Sequence, residues 1–78
     1  MTIKDYKVLK TFVEENKTIE ICEDNNGYHF IKTEYHVPVQ DQFGGHIEHK
    51  TFYNFNYEDE PLNILIYRYK NDMLDLDN

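Results

Sequence analysis

The chain has 78 residues, a formal net charge of -7, 15% aromatic residues and one cysteine. A chain of that length is a single domain (residues 1–78) that buries only about 60% of its unfolded surface, and a lone thiol cannot build the disulfide framework on which small secreted domains rely. The acidic balance disfavours direct binding to nucleic acid, which needs concentrated Lys and Arg, and no apolar run approaches the roughly 20 residues of a membrane helix.

Thr2 to Asn16 reads as a helix. Ile3, Tyr6, Leu9, Phe12 and Val13 recur at spacings of three and four. Thr2 stands at a capping position, with Asp5 three residues later in a capping-box-like pattern. A strand through Tyr6 and Val8 is the competing reading. The next stretch, KTIEICEDNNGYHFIKTEYHVPV, alternates apolar and polar residues on both sides of Asn25-Asn26-Gly27 and reads as a hairpin. Register selects the loop. A two-residue Asn26-Gly27 turn would set Ile21 opposite Lys32, whereas a three-residue loop with Gly27 in the left-handed region sets Ile21 opposite Ile31, Ile19 opposite Thr33 and Glu20 opposite Lys32. The apolar match favours the longer loop.

Pro38 marks an end, a bulge or an edge of the second strand, and PVQDQFGG reads as a connection. A third strand is expected from about His46 to Tyr57, with Ile47, His49, Thr51, Tyr53, Phe55 and Tyr57 on one face. Leu62, Leu65, Ile66, Tyr69 and Met73 then follow helical spacing, with Pro61 at the first helical position behind Glu58, Asp59 and Glu60. A strand over 63–70 is the rival, and the tail from Asp75 to Asn78 is expected to fray. The expected class is α+β in the order α-β-β-β-α: a three-stranded antiparallel sheet carrying the N- and C-terminal helices in a single layer.

The opening MTIKDYKVLK lacks the apolar stretch of a secretory leader, so a soluble cytoplasmic protein is expected. Its Asn-, Lys- and Ile-rich usage suggests an AT-rich bacterium or one of its phages as the source, the latter placing it in the host cytoplasm. The chemistry-bearing residues are few. His46 and His49 are an odd number of residues apart on a strand and point to opposite faces, leaving His36, His46 and Glu48 as the set that could converge on zinc. Half-exposed strand histidines are the simpler reading, and neither a metal nor another cofactor is expected. Cys22 has Glu20, Glu23 and Asp24 as neighbours, the opposite of what a nucleophilic thiolate needs. No phosphate-cradling glycine loop or Ser-His-Asp arrangement is present, and no enzymatic activity is expected.

Charge is the most informative feature. The net charge is +1 over residues 1–17, -7 over 18–60 and -1 over 61–78. Glu20, Asp24 and Glu34 share one expected sheet face; Asp41, Glu48, Glu58, Asp59 and Glu60 add to the array, and Phe43 is an aromatic in the flexible connection. In size, charge and element order the chain resembles small acidic phage inhibitors of host nucleases, including anti-CRISPR and anti-restriction proteins that mimic nucleic acid. That resemblance transfers no residues. Double-stranded-RNA-binding domains share the element order, but Glu58, Asp59 and Glu60 stand where their basic contacts would be. The resemblance implies a non-catalytic binder of a basic surface on a nucleic-acid-handling protein. Glu20, Asp24, Glu34, Asp41, Phe43, Glu48, Glu58, Asp59 and Glu60 are the expected contacts. The alternative is a self-associating accessory subunit with an aromatic interface, a homodimer in its simplest form.

Overall fold

The three-residue turn at Asn25-Asn26-Gly27 forms as its chemistry requires. Gly27 has φ +83°, Asp24 and Tyr28 close the loop through a 2.9 Å backbone bond, and the Asp24 carboxylate accepts the amides of Asn26 and Tyr28. Strand β2 (Lys17–Asp24) and strand β3 (His29–Asp41) therefore pair with Ile21 opposite Ile31, Ile19 opposite Thr33 and Glu20 opposite Lys32. The computed structural model describes residues 5–76. In it these strands are the middle of a four-stranded antiparallel meander in the order β1-β2-β3-β4, flanked by β1 (Tyr6–Val13) and β4 (Gly44–Asn54). A single helix, α1 (Leu62–Lys70), follows.

The N-terminal segment is thus a strand, and the expected three-stranded sheet between two helices is corrected to four strands and one helix. A β-bulge explains the misleading spacing. The β1–β2 register shifts between Val8 and Lys10, so one extra residue puts the alternation before it out of phase with the alternation after it. Tyr6, Leu9 and Phe12 then appear three apart although the backbone is extended. The pairing also gives β2 a second neighbour, so its backbone groups are satisfied on both sides. Thr2 and Ile3, the cap and first apolar residue of the expected helix, lie outside the described residues. The shared α-β-β-β-α order with phage inhibitors and RNA-binding domains disappears with that helix.

One face of the sheet carries the core. Ile19, Ile21 and Ile31 are fully buried beneath Leu65 of α1, with Phe12, Tyr57, Leu62, Ile66, Tyr69, Leu74 and Leu76 packed around them. Phe12 stacks on Tyr69 at 3.8 Å between ring centres and 12° between planes. The Tyr69 hydroxyl donates to Glu14 Oε2 at 2.7 Å, which raises its pKa to about 12 because the bond favours the protonated phenol. The helix therefore docks at the β1–β2 edge through a ring and at the centre through leucine and isoleucine.

Both ends of α1 differ in detail from the expectation. Pro61 is the N-cap, with φ -70° and ψ 158°, not the first helical residue. At the other end Asp72 adopts φ +55°, and its amide bonds Tyr69 O while that of Met73 bonds Arg68 O. This is the Schellman closure, with aspartate in the position that favours glycine. Met73 is half-exposed beyond it. The tail is held instead of frayed as far as Leu76: Leu74 and Leu76 join the core margin, Asn54 Nδ2 donates to Asp75 O at 2.7 Å and the Asp75 amide donates to the Tyr57 hydroxyl. Asp77 and Asn78 lie outside the described residues. β4 stops at Asn54, short of the expected Tyr57, because the Asn54 side chain accepts the Asn56 amide and turns the chain.

Among the described residues no helix is long and apolar enough to cross a membrane. Leu65→Ala should cost about 2–5 kcal/mol, a large share of the roughly 4–12 kcal/mol available to a chain of this length, as read from urea denaturation. Asp72→Gly should instead raise stability by about 1 kcal/mol, by relieving the left-handed backbone of an L-residue.

Candidate interaction surface

β2 makes its last pair at Lys17 opposite Tyr35, yet β3 and β4 stay paired to Asp41 opposite Gly44. The second hairpin therefore outruns the sheet as a two-stranded arm over residues 37–48, in a molecule 46 Å in its longest dimension. The expected loop Pro38–Gly45 is mostly strand, and only Gln42 and Phe43 turn. The Asp41 carboxylate accepts the Phe43 amide at 2.8 Å, and Gly44 takes φ +117°, a backbone conformation open to glycine that closes the two-residue turn with the register unbroken.

Pro38 is tolerated in the arm for a definable reason. The His36 amide points toward β2 and bonds Asn16 O at 2.8 Å. Two residues on, the Pro38 nitrogen points the same way, where β2 has ended and no carbonyl awaits a donor. Phe43 at the tip is 89% exposed and Ile47 is 60% exposed, so the arm offers apolar side chains to solvent. β4 is also the sheet's outer strand, exposed from Gly44 to Tyr53.

The acidic residues are divided among several environments. Glu20, Asp24 and Glu34 do share the face opposite the helix, as their spacing requires. Glu20, however, pairs with Lys32 at 3.7 Å, Asp24 is occupied in its loop, and Glu34 lies 2.9 Å from His49 Nδ1. Asp41 and Glu48 occupy the other face of the arm on either side of His46, each 3.3 Å from it. Glu58 and Asp59 are exposed in the turn before α1, beside the start of β3, where the Glu58 carbonyl accepts the His29 amide. Glu60 forms a fork with Arg68, receiving Nε at 3.0 Å on both oxygens and Nη2 at 2.6 Å. Arg68 also lies over the Tyr57 ring, so Glu60 is a clamp on the helix entrance. These carboxylates do not form one negative surface: only Asp41 and Glu48 are brought together with Phe43.

The histidines sort by face as their spacing predicts, with a correction to the expected grouping. His46 and Glu48 are on the helix side, and His36 is on the open side, so that trio does not converge. His36 stands instead opposite His49, next to Glu34. This cross-strand group was not legible beforehand, because pairing His36 with His49 needs the register of the arm, which a loop reading of 38–45 leaves undefined. His29 is structural: its Nδ1–H donates to the Glu60 carbonyl at 2.5 Å.

The outward aromatics also find partners. Phe30 is only 1% exposed, enclosed by Tyr6 at 5.4 Å, Phe55 at 5.5 Å and Tyr53 at 6.3 Å between ring centres. Phe52, on the helix side but beyond the helix, meets Tyr35 edge to face; Tyr28 stays half-exposed. Cys22 lies fully buried in β2 opposite Phe30. Burial, then the charge of Glu20, pushes its thiol up to about 12, so no thiolate nucleophile is available near neutral pH.

No protein family, curated protein or solved structure matches the chain. Cys22 should resist iodoacetamide in the folded protein at pH ~8, where an ordinary thiol of pKa about 8.5 reacts readily. Mass spectrometry should show full alkylation only after denaturation.

Proposed function

We propose that the protein is a non-catalytic binding protein that works by inserting the β3–β4 arm into a partner. The supporting observation is the arm itself: strands paired past the end of β2, with Phe43 almost wholly in water at the tip. Long exposed edges and exposed apolar tips are normally blunted in a protein with no use for them. A rigid aromatic anchor on a two-stranded support loses little conformational freedom on binding.

Charge narrows the partner. Between Val37 and Glu48 the arm holds Asp41 and Glu48 and neither Lys nor Arg, and the whole chain carries -7. The fitting surface is an apolar pocket rimmed by Lys and Arg. Such rims belong to nucleic-acid-handling proteins, whose phosphate contacts demand them. On this reading the protein acts as an inhibitor of a host nuclease or related enzyme by occupying that surface, and the long-range field of the chain speeds encounter.

A second reading has its own observation. The outer edge of β4 presents Ile47 and Tyr53 on one face and Phe52 on the other, all exposed, and two copies could pair there edge to edge. Sedimentation across a concentration series separates the readings, since a species that stays monomeric at micromolar concentration has no self-association to explain.

For the binding reading, affinity for candidate nucleases should fall as salt rises. Phe43→Ala should weaken binding by about 2 kcal/mol, roughly thirty-fold, while leaving the unfolding midpoint unchanged. Glu48→Gln should reduce the salt dependence. A complex whose affinity ignores both Phe43→Ala and salt would remove the arm from the mechanism.

A further inference from the structure

The open face of the sheet carries a group of donors that the arm's binding role does not use. Glu34 and His36 lie two residues apart on the same face of β3, and His49 stands directly across on β4. The two Nδ1 atoms are 3.0 Å apart. Glu34 Oε1 is 2.9 Å from His49 Nδ1 and 4.0 Å from His36 Nδ1. We infer that Glu34, His36 and His49 form a binding site for a divalent transition-metal ion of the zinc class.

Ligand geometry supports this first. Bonds of about 2.0–2.1 Å at tetrahedral angles place donor atoms about 3.3 Å from one another. The three separations bracket that value, so an ion can enter with side-chain movements of a few tenths of an ångström. All three candidate ligand atoms already lie within 4.8 Å of one another.

Proton bookkeeping supports it next. An imidazole nitrogen that carries a proton has no lone pair left to accept another, so two Nδ1 atoms at 3.0 Å hold at most one proton between them in the neutral state. That proton, on His49, serves Glu34 and His36 at once in a bifurcated bond. Three acceptor sites thus share one hydrogen. A cation that takes its place is bound by two imidazole lone pairs and a carboxylate simultaneously, while the His49 proton moves to Nε2 and both imidazoles stay neutral.

The surroundings also fit. With Nδ1 as the ligand, His36 carries its proton on Nε2, which lies 3.4 Å from Thr18 Oγ1. A hydroxyl accepting from the non-ligating nitrogen is the outer contact that orients a metal-bound histidine. Two nitrogens and one oxygen select zinc or a neighbouring late transition ion over calcium or magnesium, which take oxygen. A fourth position remains toward solvent, since His49 is the most open of the three.

The site's location gives it a purpose. Glu34, His36 and His49 bridge β3 and β4 at the point where β2 ends, the root of the arm. An ion there fastens the two strands of the arm to one another where the sheet's support stops. The assignment is independent of what the arm binds, so either can fail without the other.

The test is titration of the metal-free full chain with zinc ion alone, followed by calorimetry and thermal melting, with cobalt as a spectroscopic substitute. One ion per chain should bind saturably, the melting temperature should rise with zinc, and cobalt should give the visible bands of a four-coordinate site. His49→Ala, at an exposed position, and Glu34→Gln should each weaken binding about tenfold or more. His46→Ala removes the same chemistry from the opposite face and should leave affinity within about twofold. Absence of saturable uptake by the unmodified chain, or equal losses from His46→Ala and His49→Ala, would overturn the assignment.

Discussion

The structure depends on one register, Ile21 opposite Ile31 across β2 and β3. With that pairing, Ile19, Ile21 and Ile31 form a single apolar patch wide enough to seat Leu65, and the remaining elements are placed around it. A slip of one residue would turn these isoleucines to the open face and bring Glu20, Cys22 and Lys32 under the helix. Gly27 prevents the slip, since its positive φ is what permits a three-residue loop.

A chain this small cannot bury a second layer, and the uncovered face of the sheet is stabilised in other ways. At one end rings enclose one another, with Phe30 and Cys22 beneath Tyr6, Tyr53 and Phe55. In the middle Lys32 answers Glu20 and bonds the Tyr6 hydroxyl, which raises the lysine's pKa by stabilising its charged form. At the far end stand Glu34, His36 and His49. Glu20 and Glu34 on this face are thereby matched with a lysine and with histidines, and Asp24 with the amides of its loop. A net charge of -7 is thus compatible with little concentrated negative potential on the sheet, and the arm, with its exposed phenylalanine, becomes the more distinctive surface.

The arm and the histidine group are linked by the same geometric fact. β2 is eight residues long and β3 thirteen, so β3 has a partner on both sides only as far as Tyr35. Beyond that point the backbone facing β2's side is free to accept a proline. His36 and His49 sit at the boundary, where the support changes from three strands to two. A fastening between strands is mechanically most useful there.

Local chemistry decided part of this protein before any tertiary contact formed. The first hairpin, its loop length and its face assignment follow from alternation about Asn25-Asn26-Gly27, and the final helix follows from a three-and-four spacing behind a proline; both signals span only neighbours in the chain. That His46 and His49 face opposite ways also follows from strand geometry alone. Long-range pairing decided the rest. The first segment is a strand because β2 needs a second hydrogen-bonding partner, and its bulge disguised the alternation. PVQDQFGG is an arm because two strands can continue through a two-residue turn closed by Gly44, which resembles a loop in one dimension. The meeting of Glu34, His36 and His49 required residues thirteen or more positions apart to be set in register, which only the folded sheet can do.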